Sequence, residues 1–168
     1  TLDVSDQSSG AITITDTGTG TTDSATITLT DSTNSDVLNG QNITATGIET
    51  LTINTTNTKT TATAAVEQTT GTIGITADTG GTTKLVLTGS NMFDPGVITA
   101  QEIDASGLTG VLDMTGASLS GVATKVNTIT GGTGNDIIRG DDDDTTNIDG
   151  GAGNDNIVGG SDAETISG

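Results

Sequence analysis

The chain contains no cysteine, histidine, tryptophan or tyrosine, and it has one phenylalanine and one proline. Without cysteine and histidine, the sequence excludes thiol chemistry, histidine-based general-base catalysis, haem ligation and ordinary zinc sites. With Phe93 as its one aromatic residue, it also excludes a core built around aromatic anchors. Leu, Ile, Val and Phe make up about a fifth of the residues, close to the composition at which disorder is expected.

Positive charge is scarce as well. Four Lys and Arg residues oppose 22 Asp and Glu residues, which gives a formal net charge of -18. Such a surface repels nucleic acid, and its carboxylate oxygens favour hard divalent cations, so calcium is the first partner to test. No apolar run approaches the length of a membrane span, and no amphipathic helical stripe is present. We therefore expect no nucleic-acid partner and no membrane insertion.

The residues that are abundant favour β-structure. Thr, Ile and Val are β-branched and prefer the pleated surface of a sheet, while Lys, Glu and Pro, which favour disorder, are rare. Short segments that alternate apolar residues with Thr recur up to about residue 126, and this period of two predicts strands. The predicted strands, none longer than about six residues, are 11–15, 25–30, 48–53, 72–76, 85–88 and 110–115.

Many short strands at repeating intervals indicate stacked coils, in which each coil buries its apolar side against the next. Near residue 127 the amino-acid composition changes: Thr becomes less frequent, Gly, Asn and Asp become more frequent, and the repeat becomes shorter. We read this as a change of coil type rather than a flexible linker. The sequence thus predicts an all-β chain with a Thr-rich β-solenoid (parallel β-helix or β-roll) over 1–126 and a calcium-binding β-roll over 127–168.

The C-terminal repeat carries the most specific motif. The nonapeptide GGxGxDxUx, in which U is a large apolar residue, is matched at every specified position by 131–139 and again by 150–158. Between them lies a ten-residue turn, 140–149, and a degenerate fourth turn follows at 159–167. A flexible acidic linker is the alternative interpretation of a Gly/Asp-rich tail, and two full matches in register argue against it. The apolar positions Ile138, Ile148, Ile157 and Ile166 are expected to face a narrow interior.

The spacing of the repeat explains why it suits calcium. Two nonapeptides complete a coil, so Asp136 and Asp155 should stand one strand spacing apart, about 4.8 Å, and their charges would repel by roughly 3 kcal/mol. A calcium ion accepts six or more oxygens, and glycines can take the positive φ angles that turn carbonyls inward. On this side the candidate ligand residues are Gly132, Thr133, Gly134, Asp136, Gly151, Ala152, Gly153 and Asp155.

The opposite side of the roll is less regular. The run of four acids from Asp141 to Asp144 is either a solvated loop or part of a second calcium site, and Thr146 stands where an Asp is expected. For that second site the candidate ligand residues are Asp141, Asp143, Asp144, Gly160, Asp162 and Glu164. The segment 31–39 keeps the Asp and the apolar residue in register but lacks the glycines, so Asp36 is expected to cap a turn rather than bind an ion.

These motifs resemble the RTX group of proteins exported by Gram-negative bacteria, and most closely their calcium-dependent surface-layer proteins of the Caulobacter type. The likeness rests on 131–168 and on the phrases at 46–53 and 102–110. It implies a β-solenoid with RTX calcium sites, a cell-surface location after type I secretion, folding on external calcium and self-association into a two-dimensional lattice. The turn at 141–144 departs from the family pattern.

We therefore expect a non-enzymatic, extracellular structural segment of a surface layer, with any contact to surface polysaccharide made outside this chain. The start at Thr1 and the end at Gly168, where a new repeat would begin, predict a C-terminal fragment of a longer protein. An RTX adhesin, or the non-catalytic portion of a type I-secreted toxin or protease, is the alternative. A solenoid enzyme that cleaves polysaccharide with paired carboxylates is a third possibility, but the chain offers only one aromatic residue and four basic residues for a sugar cleft.

Overall fold

The computed structural model describes residues 1–5, 10–33, 35–58, 66–78, 80–119, 127–142 and 145–168. Within these residues the chain forms strands, turns and bends but no helix, which confirms the predicted all-β class. The described residues accordingly include no helix long and apolar enough to span a bilayer.

Sixteen strands occur in the described residues. The first eight are β1 (Leu2–Ser5), β2 (Ile12–Thr15), β3 (Ser24–Asp31), β4 (Gln41–Thr46), β5 (Thr50–Asn57), β6 (Glu67–Thr76), β7 (Lys84–Gly89) and β8 (Met92–Asp94). The second eight are β9 (Val97–Thr99), β10 (Glu102–Leu108), β11 (Ser118–Leu119), β12 (Asn127–Thr130), β13 (Ile137–Arg139), β14 (Thr146–Asp149), β15 (Asn156–Val158) and β16 (Thr165–Ser167).

The strands form long parallel sheets. An eight-stranded sheet has the order β1-β3-β5-β7-β10-β12-β14-β16, and a six-stranded sheet has the order β11-β9-β6-β4-β2 with β8 beside β6. The strands β13 and β15 form a separate two-stranded sheet. Every pairing between the described strands is parallel, and the chain crosses repeatedly from the eight-stranded sheet to one of the others and back.

The core lies along the inward rows of these sheets. In the eight-stranded sheet Ile27 pairs with Ile53, and Ile53 pairs with Leu87 on its other side. In the six-stranded sheet Ile43 pairs with Ile73. All five side chains are fully buried in one apolar cluster. Because stacked strands place equivalent side chains over one another, this narrow core needs few apolar residues per strand.

Several sequence-based strand predictions were incomplete. Strand β6 has ten residues and β3 has eight, so the expected limit of about six was wrong. The predicted strand at 110–115 is reduced to bridges at Leu112 and Asp113. Strands β1, β4, β8, β9, β10, β11 and β12 were missed, because their apolar positions are few and their pairing partners lie far away in sequence.

The eight-stranded sheet continues across the predicted boundary at residue 127, since β10 pairs with β12 and β12 with β14. Ile129, Ile148 and Ile166 lie in direct register along this end of the sheet. The first two are buried, but Ile166 is 51% exposed because β16 is the edge strand. The expectation that all the repeat isoleucines face a closed interior therefore fails at the edge.

Candidate calcium site

Two glycine-rich turns, 131–136 and 150–155, lie directly over one another. Strand β13 follows the first turn, β15 follows the second, and Ile138 pairs with Ile157 in parallel register. The amide of Ala152 donates to the Gly132 carbonyl at 2.9 Å, and the amide of Asn156 donates to the Asp136 carbonyl at 2.8 Å. The arrangement matches the expected spacing, in which alternate turns of the repeat stack on one side.

Asp136 is the most constrained acid of these turns, with none of its surface exposed. Its Oδ1 accepts the Leu112 amide at 2.8 Å, and its Oδ2 accepts the Gly132 amide at 2.7 Å. Burial raises the pKa of Asp136, the two amide hydrogen bonds act against that rise, and the nearby Asp155 adds to it. The fold therefore holds a carboxylate where its negative charge is costly.

Asp155 is half-buried and lies beside Asp136 in the stack. Its Oδ1 accepts the Asp136 amide at 2.9 Å, across a separation of 19 residues. Asp136 makes the equivalent contact with the chain stacked before it, because it accepts the amide of Leu112, which lies 24 residues earlier in the sequence. Each acid of the motif thus accepts a backbone amide from the earlier part of the chain stacked beside it. Asp136 and Asp155 therefore lie in adjacent layers of the stack.

The glycines of the two turns serve two different purposes. Gly151 and Gly153 have φ angles of 84° and 132°, a region that favours glycine. The other four repeat glycines of these turns, which could also take positive φ, do not. Space explains them instead: a Cβ on Gly134 would lie 2.5 Å from the Gly110 carbonyl oxygen of the preceding layer.

The donor chemistry of this side suits calcium. Carbonyl oxygens of the first turn lie against the glycines of the second, where a Cβ on Gly151 or Gly153 would overlap the carbonyl oxygens of Gly132 and Gly134. Oxygen ligands of this kind are what calcium prefers. In the part of the chain that the structure describes, no three acidic side chains group closely enough to hold a metal. Any ion here would therefore depend on backbone carbonyls as well as on Asp136 and Asp155.

The other two repeats, 140–149 and 159–167, have a different set of contacts in their described residues. Thr146 is fully buried at the position of the motif acid, and its hydroxyl accepts the Asp141 amide at 3.2 Å. Asp142 lies 3.6 Å from the Arg139 guanidinium and 3.4 Å from the Ser161 hydroxyl. A Cβ on Gly160 would overlap the Asp141 carbonyl oxygen, so this turn also packs backbone against backbone. Asp143 and Asp144 lie outside the described residues.

The fourth turn has one acid at the position of the motif aspartate. Glu164 stands where the motif has Asp, and its Oε1 is buried without a hydrogen-bond partner. That oxygen lies 3.0 Å from the position of a Cβ on Gly160, so the carboxylate curls over its own glycine turn. The Glu164 side chain therefore points into the fourth turn. Asp162 is exposed to solvent.

The degenerate segment 31–39 forms a turn between β3 and β4. The Asp36 Oδ1 accepts the amides of Leu38 and Asn39, so the prediction that Asp36 caps this turn is confirmed. The Asp36 Oδ2 accepts a short hydrogen bond from the Thr69 hydroxyl. Asp31 is fully buried and accepts the amides of Thr33 and Ser35.

Two further groups of acids were not predicted from the sequence. In one, Glu49 is buried and accepts the amides of Asp23 and Asp78 from neighbouring layers, at 2.7 and 2.9 Å. Burial raises the pKa of Asp23, and the charges of Asp16, Glu49 and Asp78 raise it further. The oxygens Asp23 Oδ2 and Asp78 Oδ2 have no hydrogen-bond partner. The unequal lengths of these layers hide the alignment from a search for a fixed repeat.

The second group lies where β6 pairs with β8. Thr69 is in register with Asp94, and the next bridge joins Phe93 to Leu112, which brings Asp113 alongside. Desolvation raises the pKa of Glu67, and the charges of Asp94, Asp113 and Asp36 raise it further. Desolvation also raises the pKa of Asp94, followed by the charge of Asp113. Negative charge thus accumulates where β6 pairs with β8.

No protein-family model matches this chain, and comparison with curated proteins and with solved structures gave no match. The function therefore has to be argued from the geometry and chemistry of the turns.

Proposed function

We propose that the chain is a calcium-stabilised β-solenoid segment of an extracellular RTX-type surface layer, in which ions bound between the C-terminal turns drive folding and assembly. The protein has no catalytic role in this proposal. It leaves the cell by type I secretion and orders only outside, where calcium is plentiful. The ligands nearest the proposed ion come from Asp136, Asp155 and the carbonyls of the glycine turns.

One observation carries the proposal. The two turns that match the motif are stacked with the Asp136 amide 2.9 Å from the Asp155 carboxylate, and Asp136 itself is fully buried. A buried carboxylate beside a second acid destabilises the fold unless a cation lies close by. The carbonyl oxygens of Gly132 and Gly134, which pack against Gly151 and Gly153, would add neutral oxygen ligands.

Calcium titration of the chain, followed by circular dichroism in the far ultraviolet, tests the proposal. We expect β-structure to form on addition of calcium and to be lost in chelator, whereas magnesium should be a poor substitute because it requires a small octahedral site. Asp136→Ala and Asp155→Ala should each shift the midpoint to higher calcium concentration. Asp3→Ala, which alters an exposed acid in β1, is the matched control and should leave the midpoint unchanged.

Electron microscopy of the chain in calcium tests the lattice role. We expect ordered sheets or regular arrays under conditions in which the chain is folded. An adhesin segment would instead remain monomeric in calcium and bind another molecule. The same secondary structure in chelator as in calcium, with unchanged midpoints for both aspartate variants, would contradict the calcium site altogether.

A further inference from the structure

The last inward position of strand β3 is an acid. Successive inward residues of this strand are Ile27, Leu29 and Asp31, and all three are fully buried. Ile27 and Leu29 belong to the apolar core, so Asp31 places a carboxylate at the end of a core row. A buried carboxylate destabilises a fold unless hydrogen-bond donors or a positive charge compensate it.

Hydrogen bonds compensate only one of the two carboxylate oxygens. Asp31 Oδ1 accepts the amides of Thr33 at 2.9 Å and Ser35 at 3.0 Å. Asp31 Oδ2 is buried and has no hydrogen-bond partner among the described residues. The two basic side chains of the described residues, Lys84 and Arg139, pair with other acids. Within the described part of the chain, nothing therefore neutralises the Asp31 charge.

Two hydroxyl groups meet in the turn that follows Asp31. Thr33 Oγ1 and Ser35 Oγ lie 2.7 Å apart, and the amides of the same two residues hold Asp31 Oδ1. Calcium-binding loops take ligands from alternate residues, such as the first, third and fifth, and bind oxygens at about 2.3–2.6 Å. Asp31, Thr33 and Ser35 have this spacing. Two oxygens bound to one calcium ion can lie as close together as these two hydroxyls do.

A buried glutamine holds the turn from a strand of the other sheet. Gln68 of β6 is fully buried, its Oε1 accepts the Val37 amide at 2.8 Å, and its Nε2 donates to the Ser35 carbonyl at 3.1 Å. Both oxygens of Asp36 also accept hydrogen bonds. The contacts that shape the turn therefore do not use Asp31 Oδ2.

We propose that the turn 31–35 is a calcium site separate from the C-terminal turns, with Asp31 Oδ2 and the hydroxyls of Thr33 and Ser35 as ligands and water completing the coordination. The ion neutralises a buried carboxylate and fixes the connection between β3 and β4. Only one carboxylate contributes, so binding is weak, with a Kd on the order of 10⁻⁴–10⁻³ M. The site lies in the Thr-rich part of the chain and does not depend on the glycine repeats.

Asp31→Asn tests the site, because an asparagine carbonyl oxygen forms the same type of turn, while its amide group replaces Oδ2 and cannot bind a cation. Equilibrium dialysis of the full chain against radioactive calcium counts the bound ions. We expect Asp31→Asn to bind one ion fewer than the wild type and to keep the wild-type circular dichroism in saturating calcium. Asp36→Asn is the matched control: it removes one charge from the same segment and should leave the count unchanged.

Thr33→Val is a second test that keeps the Asp31 charge. Loss of one ligand hydroxyl should weaken calcium binding at this site about tenfold, because the turn amides stay in place. A wild-type count in Asp31→Asn, equal losses in Asp31→Asn and Asp36→Asn, or unchanged affinity in Thr33→Val would each overturn the inference. Failure of the proposed function is distinguishable, since Asp136→Ala would then keep the wild-type count in the same assay.

Discussion

At the residue scale, the acids of this protein divide by environment rather than by type. Asp136 is buried and holds two backbone amides, whereas Asp162, in a neighbouring turn, is exposed. Both are aspartates in glycine-rich turns, so the sequence around them is similar. Their contribution to folding differs because only the buried carboxylate leaves amides unpaired when it is removed.

Replacing Asp136 by Ala should destabilise the calcium-loaded chain by about 2–4 kcal/mol, because the amides of Leu112 and Gly132 would lose their acceptor inside the fold. Urea unfolding in saturating calcium measures the loss. Asp3→Ala should change the free energy of unfolding by less than about 0.5 kcal/mol, as expected for an exposed position. Equal losses for both variants would show that Asp136 has no structural role.

Replacing Glu67 by Gln should make the folded chain more stable at neutral pH. The raised pKa of Glu67, caused by desolvation and then by Asp94, means that its ionised form is disfavoured in the fold. The wild type should therefore gain stability as the pH falls from neutral toward the ordinary glutamate value of 4.5. Glu67→Gln should gain less over that window. Because Glu67 is exposed, the effect should be small, and thermal unfolding at several pH values would detect it.

At the scale of the element, the glycine turns and the strand pairs have different structural roles. The turns hold successive layers at backbone contact, as the position of Gly153 against Gly134 illustrates. The strand pairs fix which side chains meet across the sheet, as in the ion pairs of Lys84 with Glu102 and Asp104 at 2.6 and 2.8 Å. The turn at Gly153 therefore leaves no room for an added Cβ, whereas a strand position tolerates changes that keep its charge balance.

Replacing Gly153 by Ala should destabilise the fold by at least about 2 kcal/mol, since its φ of 132° disfavours any side chain and the new Cβ would overlap a carbonyl oxygen. Gly116→Ala is the matched control, because a Cβ there meets nothing within 4 Å. Chemical denaturation in calcium compares the two. A loss at Gly116 as large as the loss at Gly153 would rule out the packing explanation.

Replacing Lys84 by Met should cost about 1 kcal/mol at low salt and less at high salt, because two acids lose a partially exposed cation. Hydrogen bonds to Asp104 and Glu102 raise the pKa of Lys84. Burial acts to raise the pKa of Asp104, and the hydrogen bonds from Lys84 and Ser106 outweigh it and lower that pKa.

The stability contributed by Lys84 is thus present below its ordinary pKa of 10.5 and lost as the pH rises through the higher folded value. The part contributed by Asp104 is lost on acidification below its ordinary pKa of 3.8. Thermal unfolding of Lys84→Met at several salt concentrations checks the prediction. A deficit that does not depend on salt would point to lost side-chain packing instead of lost charge.

At the scale of the whole molecule, a net charge of -18 opposes compaction. Acids of neighbouring layers lie close together, as Asp23 and Glu49 do in one place and Asp94 and Asp113 in another. Stacking the layers therefore brings like charges together. A cation that binds only the stacked form shifts the balance toward folding, which is the physical basis of the proposed dependence on calcium.

Raising sodium chloride from about 0.01 M to about 1 M should increase the thermal stability of the chain at fixed calcium, because screening weakens repulsion between the rows of acids. Potassium chloride should act equally, since the effect depends on ionic strength. Differential scanning calorimetry measures the change. A fall in stability with salt would indicate that attractive ion pairs outweigh repulsion in this fold.

The strand content and the stacking of turns followed from local patterns. Alternation with a period of two predicted β3 and β7, and the nonapeptide period predicted that Asp136 and Asp155 would be neighbours. The pairing of Glu49 with Asp23 and Asp78 had no such signal, because layers of unequal length bring them together. The exposure of Ile166 was likewise unpredictable from its motif, since it depends on β16 being an edge strand.

The sequence by itself determined that this chain is all-β, strongly acidic and repetitive, because residue type, charge and period are local properties of the chain. The tertiary structure alone decided which acids are buried and which glycines need positive φ. These features depend on how many residues separate the strands that stack on one another. A local sequence pattern does not contain that information.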